Sequence, residues 1–141
     1  MIACRRMSVA ERLDVFELLS PVRTDDLALG RALTLFVERE DYGFVWVASD
    51  ESEHLVGCAL VSYAISTEAG GLVAKLDDVV VVAGARGAGI GTAMLDALAD
   101  HLRTMEIVSM ETNVARALHL APFFTACGFV HHDDEGFSRA I

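Results

Sequence analysis

The stretch Val79-Val80-Val81-Val82-Ala83-Gly84-Ala85-Arg86-Gly87-Ala88-Gly89-Ile90-Gly91-Thr92 decides the fold. Four β-branched residues in a row read as a buried strand. Gly87, Gly89 and Gly91 then fall at alternate positions, and a helix follows over Thr92 to Arg103 with Met94, Leu95, Leu98 and Leu102 on one face. Glycines let the backbone turn its N–H groups inward and let a ligand approach closely. The helix start adds unsatisfied N–H groups and the positive end of the dipole. The loop from Arg86 through Ala88 and Ile90 to Thr92 is therefore a candidate cradle for an anion such as a pyrophosphate, with Arg86 adding charge and Thr92 a hydroxyl. Two familiar phosphate-binding patterns do not fit. A P-loop needs a Lys after its last glycine, and none follows here. The G-x-G-x-x-G fingerprint fails because its third glycine position is Thr92 counted from Gly87 and Met94 counted from Gly89, although Glu111 stands where a ribose-binding acid would. A tight turn without a ligand is the plain alternative.

Outward from this stretch, the sequence predicts the order β-α-α-β-β-β-α-β-α-β-β. Ile2 to Met7 is a short strand, and Ser8 caps an amphipathic helix carrying Val9, Leu13, Phe16 and Leu19 that Ser20-Pro21 ends. Thr24 with Asp25 and Asp26 starts a second helix, which Leu27, Leu29, Leu33, Leu35 and Phe36 carry to about Glu40. Phe44 to Ala48, Leu55 to Ile65 and Leu72 to Val82 are three strands joined by turns at Asp50 to Glu53 and Gly70-Gly71, an antiparallel meander. Beyond the central helix come a strand over Ile107 to Glu111, a helix over Ala115 to Ala126, and two short strands over Phe129 to Ile141.

With 141 residues the expectation is one domain over 1–141. Hydrophobic residues make up 53%, enough for a core. Eleven Lys+Arg against 21 Asp+Glu give a formal charge of −10, which argues against nucleic acid and anionic membrane as partners and favours a cationic small molecule. Cys4, Cys58 and Cys127 form no disulfide pattern, and no opening apolar stretch reads as a secretory signal. The longest mostly apolar run, Leu55 to Ile65, falls short of the roughly 20 residues that span a bilayer. The expectation is a cytoplasmic protein. Cys127, His131 and His132 fit no standard zinc spacing, so no metal is expected.

Arg86-x-x-Gly89-x-Gly91, at a strand-to-helix junction, resembles the R/Q-x-x-G-x-G/A signature of the GNAT N-acetyltransferase superfamily. The element order, the length and Gly128-Phe129 after the last helix are similar to that family over nearly the whole chain. The resemblance implies an α/β GNAT fold, with a mixed, mostly antiparallel sheet splayed between its fourth and fifth strands and helices on both faces. It implies acetyl-CoA as co-substrate, with its pyrophosphate on the loop and its pantetheine arm against the backbone of Val79, Val80 and Val81. Asn113 matches a cofactor-contacting Asn of the family, or caps the next helix.

The reaction so implied is transfer of acetyl to a primary amine of a small, cationic acceptor by direct attack in a ternary complex. An alkyl ammonium must first lose a proton, so a base is needed near the acceptor. Asp77 and Asp78 are the catalytic candidates, and the family's polyamine-type members carry acids there. Successive strand residues face opposite sides, so only one of the two is expected to look into the cleft. The other reading is that one aspartate binds a cationic substrate and the other holds a loop. Asp25-Asp26 belongs to helices that border the acceptor in the family. At the cofactor end, Phe124 occupies the place where many members have the Tyr that protonates the leaving thiolate, with His119, Tyr63 and Cys127 as substitutes. This departure leaves open a GNAT-like protein that binds acetyl-CoA and regulates a partner. The family also admits a homodimer.

Overall fold

The computed structural model describes residues 2–113, 121–131 and 136–141. Seven strands form one sheet: β1 (Ala3–Arg6), β2 (Gly43–Ser49), β3 (Leu55–Ser66), β4 (Gly71–Val81), β5 (Ser109–Asn113), β6 (Val130–His131) and β7 (Gly136–Ala140), in the spatial order β1-β2-β3-β4-β5-β7-β6. All neighbours are antiparallel except β4 and β5, which run parallel through Ala74↔Met110, Lys75↔Glu111 and Leu76↔Thr112. Beyond Leu76, β4 runs on to Val81 while no described strand pairs with it on the β5 side. The helices are α1 (Arg12–Leu19), α2 (Asp26–Glu38), α3 (Ile90–Arg103) and α4 (Ala121–Ala126). The mixed, mostly antiparallel sheet of the sequence reading is thus observed.

Helices cover both faces. On one, Trp46, Ala59, Val61, Ala74 and Leu76 pack with Met94, Leu95, Leu98 and Leu102 of α3 and Phe124 of α4. On the other, Val45, Val47, Cys58 and Leu60 pack with Val15 and Leu19 of α1 and Leu29 and Leu33 of α2. β2 is buried along its whole length because alternate residues enter these two cores. Among the described residues, no helix is long and apolar enough to cross a membrane.

The first helix differs from its sequence reading. Val9 to Glu11 form a 3-10 turn, and only Arg12–Leu19 is α-helical. Val15 and Leu19, one turn apart in α1, face the sheet, while Leu13 points to another side of the same helix and is 67% exposed, and Val9 in the 3-10 turn is 68% exposed. Glu11 reaches back to the Ser8 N–H at 3.0 Å and also holds Arg5. The start of α2 matches expectation, since the Asp25 carboxylate accepts from the Ala28 N–H at 3.0 Å.

One polar cluster ties β1 and β2 to α3. The buried Trp46 Nε1 donates to the Met94 carbonyl at 3.0 Å, so the indole enters the core with its N–H satisfied. His101 of α3 stacks on Trp46 (centroids 5.0 Å apart, planes at 27°) and meets Phe44 edge-on. Arg6 Nε donates to His101 Nε2 at 3.0 Å, so this nitrogen must be the unprotonated acceptor. Burial and then the Arg6 charge hold the imidazole below its ordinary value of 6.5. The unfolded chain therefore binds more protons than the folded one between that lowered value and 6.5, and stability falls as pH drops through this window. The melting temperature is expected to decline below pH 6.5, and His101→Gln to flatten that decline. Because the chain has one Trp, its fluorescence should titrate with the same midpoint and lose the transition in the variant.

Candidate active site

The loop after β4 has the shape its sequence promised, with one change of boundary. Ala83–Ala85 make a 3-10 turn, and Gly87 and Gly89 adopt positive φ angles of 81° and 75°. Gly89 is the N-cap of α3, which therefore starts at Ile90 rather than Thr92. A glycine cap has no side chain to accept from the N–H groups of Ile90, Gly91 and Thr92, and the first ladder bond begins only at Ala93 N–H to Gly89 O, 3.0 Å. These N–H groups and the positive helix end suit an anion.

The glycines have different duties. A Cβ at Gly87 or Gly89 would meet no described atom within 4 Å, so the left-handed backbone is their requirement. Gly91 is buried, and a Cβ there would stand 2.9 Å from the Phe123 ring, so α4 packs directly on the first turn of α3. Exposed Arg86 folds back and donates from Nε to the Val81 carbonyl at 3.2 Å. That bond lies on the edge of β4 that no described strand covers. Val81 lies opposite Gly57, and the Val82 N–H donates to Val56 O, so Val81 turns its own N–H and C=O away from β3. Val79 and Val81 lay their side chains on the α3 core, and Val80 lays its on the core beneath α1 and α2.

At the other end of this edge the structure corrects the alternation argument for Asp77 and Asp78. The β3–β4 register shifts between Cys58 and Leu60: Leu60 pairs with Asp77 and Cys58 with Val80, so Asp78 and Val79 stand opposite Ala59 alone. Asp78 has φ 51°, a left-handed conformation that aspartate tolerates better than most residues. The bulge brings both carboxylates to one guanidinium. Arg23, in the connection between α1 and α2, donates from Nε to Asp78 Oδ2 at 2.9 Å and from Nη2 to Asp78 Oδ1, and its Nη2 lies 3.8 Å from Asp77 Oδ1. The two aspartates differ in access: the Asp78 side chain is 10% exposed and both of its oxygens face Arg23, whereas Asp77 is 53% exposed. Arg23 was not singled out from the sequence. It lies 55 residues from Asp78 in a helix connection, and no short-range spacing links them.

The remaining candidates divide. Phe124 is only 1% exposed, edge-on to Phe123 and Phe129, so it fills the core and does not line an open cofactor surface. Its neighbour Phe123 is half-buried at the start of α3. Tyr63 also packs on the α3 core. Burial pushes the Cys127 thiol up, and that of Cys58 up to about 12, leaving both protonated and poor nucleophiles at neutral pH. Asn113 closes β5 opposite Gly136, and its side chain, like Arg116, His119, His131 and His132, lies outside what is described. Among the described residues, no group of three His, Cys, Asp or Glu side chains is placed to hold a metal. A separate concavity of about 890 Å³ between α1 and α2, lined by residues such as Leu13, Leu27 and Leu35, includes Asp26 but neither Asp77, Asp78 nor any residue of the glycine loop.

Against known proteins, the model of the acetyltransferase (GNAT) family matches residues 10–129. A GNAT-family acetyltransferase from Staphylococcus aureus has a similar structure, with 15% identity, 99% of each chain covered and a TM-score of 0.74. Glucosamine-6-phosphate N-acetyltransferase from Arabidopsis thaliana matches with 18% identity, 94% of each chain and 0.74. A GNAT-family N-acetyltransferase from Escherichia coli, solved in complex with CoA, matches with 15% identity, 99% of this chain, 81% of its own and 0.76. At these identities the likeness is one of fold. A comparison with curated protein sequences gives no match.

The two kinds of glycine predict different costs. Gly91→Val should overpack against Phe123 and destabilise by about 2 kcal/mol or more, whereas Gly89→Ala should cost about 1 kcal/mol from the backbone alone. Urea unfolding of the two variants measures both.

Proposed function

Because the chain belongs to the GNAT acetyltransferase family, we propose that it transfers the acetyl group of acetyl-CoA to the amine of a small cationic acceptor, by direct attack with both substrates bound. The observation that carries this reading is the edge of β4 from Asp77 to Val81, which no described strand covers and which runs from the two aspartates to the glycine cradle. An extended arm anchored at one end of that edge would bring its thioester toward the other. The family implies acetyl-CoA as the donor, and the complex of the Escherichia coli relative with CoA supports this.

In this reading the N–H groups of Ile90, Gly91 and Thr92, with those of the Gly87–Gly89 turn, take the pyrophosphate. Arg86 releases the Val81 carbonyl and adds its charge to them. The freed N–H and C=O of Val81 pair with the pantetheine arm as a strand neighbour would. An N–H along this edge, at Val79 or Val81, donates to the thioester oxygen as negative charge develops on it, and a donor fixed by the sheet needs no reorganisation.

Asp77 is the base. It removes one proton from the acceptor ammonium, directly or through one water, and the nitrogen then forms the C–N bond. The nitrogen, cationic once bonded, sheds its second proton to solvent as the tetrahedral intermediate collapses and the C–S bond breaks. The thiolate that leaves, with an ordinary value near 8.5, takes its proton from solvent, since Phe124 has none to give and is buried. The protonated, buried Cys58 and Cys127 favour direct attack over an acyl-enzyme. The acidic excess of the chain favours a cation at the acceptor end. Residues 1–141 act as one domain in this scheme.

Calorimetry with acetyl-CoA tests the donor, and thiol release with a panel of amines tests the transfer. Arg86→Ala should weaken acetyl-CoA binding by about tenfold, the scale of one charge-assisted contact. Asp77→Asn should lower kcat by about 100-fold or more with acetyl-CoA affinity nearly unchanged. Unaltered turnover in Asp77→Asn would remove Asp77 from the role of base.

A further inference from the structure

We infer that Arg23 sets the charge class of the acceptor: the protein's own guanidinium fills the place that the far ammonium of a diamine would take, so the site selects amines with one positive charge and an uncharged remainder. This rests on the proposed amine transfer and narrows its substrate.

Two carboxylates presented side by side on one bulge form a site for two positive charges. In this structure Arg23 supplies one of them. Its planar fork engages Asp78 through Nε at 2.9 Å and through Nη2, and the same Nη2 lies 3.8 Å from the nearer Asp77 oxygen. The pair is sheltered, with the Asp78 side chain 10% and the Arg23 side chain 34% exposed, so solvent screens it less than a surface pair. The hydrogen bonds to Asp78, and then the charges of both aspartates, hold the guanidinium even more firmly protonated than usual. Lys75, which shares the Asp77 face two residues earlier, is 3.1 Å from Glu111, and that pair adds no net charge. A second ammonium entering beside Asp77 would meet Arg23 instead of a carboxylate. Unlike charges close by attract and like charges repel by comparable amounts, so one fixed cation separates a monoamine from a diamine of equal length.

The test uses the full chain, saturating acetyl-CoA, and 1-aminobutane against 1,4-diaminobutane, followed by thiol release. The wild type should prefer the monoamine in kcat/KM. Arg23→Gln should raise the diamine-to-monoamine ratio by about tenfold, mainly through KM and less so at high salt, while Arg23→Lys, which keeps the charge, should retain the wild-type preference. An unchanged ratio in folded Arg23→Gln overturns the inference. If that variant does not fold, Asp78→Asn leaves Arg23 facing Asp77 alone. It should raise KM for the monoamine by about tenfold with KM for acetyl-CoA unchanged, and an unaltered amine KM overturns the inference equally. If the wild type binds acetyl-CoA yet releases no thiol with any amine, the transfer reading fails by itself. Calorimetry of 1,4-diaminobutane then decides the role of Arg23, tighter binding to Arg23→Gln than to wild type supporting it and equal binding overturning it.

Discussion

The contact between Arg23 and the bulge at Asp78 is the constraint on which the rest of β4 depends. Leu76 belongs to the core under α3, and a strand with unbroken alternation would next send residues 78 and 80 to that side. The extra residue at Asp78 resets the count, so Val79 and Val81 enter the α3 core and Val80 meets Cys58 on the other side. A left-handed, non-glycine residue costs about 1–2 kcal/mol, and nothing in the strand itself repays it. The fork of Arg23 does, by holding both oxygens of Asp78 from outside the sheet. A helix connection thus fixes the register of a strand far from it in sequence, and the same contact arranges the two carboxylates.

Much of this was legible in the sequence because its signals are short-ranged. The glycine spacing after an apolar run announced the cradle, and the stripe from Met94 to Leu102 announced α3, whose members are all fully buried. The bulge was hidden for a physical reason. Alternation can be read only where apolar and polar residues alternate, and Val79 to Val82 are apolar whichever way they face. A two-residue aspartate pair at the start of an all-valine run is the one trace it leaves, and neither residue is a glycine that would flag a positive φ. Arg23 carries no trace at all, since its partner is 55 residues away. Val9 and Leu13 misled for the opposite reason: their spacing is helical, but Val9 sits in a 3-10 turn and Leu13 lies on a side of α1 away from the sheet-facing Val15 and Leu19.

The charge of the chain acquires a division of labour from these contacts. A bulk charge of −10 opposes any anionic ligand, so the proposed pyrophosphate cradle would work through backbone N–H groups and the exposed guanidinium of Arg86. Arg86 is suited to that, being exposed and held by one bond to a backbone carbonyl. Arg23 is suited to the reverse, being forked onto a sheltered carboxylate and therefore fixed. The two arginines stand at opposite ends of a strand edge that no described strand covers, the first exposed and held by one bond to the backbone and the second forked onto Asp78.

That edge is useful only if its two ends hold still relative to each other, and the core accounts for this. Gly91 lets the Phe123 ring sit against the first turn of α3, and Phe124 beside it is locked among Phe129 and Phe137. The hydrophobic core therefore reaches up to the base of the cradle. Two and four residues earlier, at Gly89 and Gly87, an added Cβ would meet no described atom within 4 Å. The lip of the cradle can then adapt to a ligand while its floor, the start of α3, is fixed by packing to the same sheet that carries Asp77.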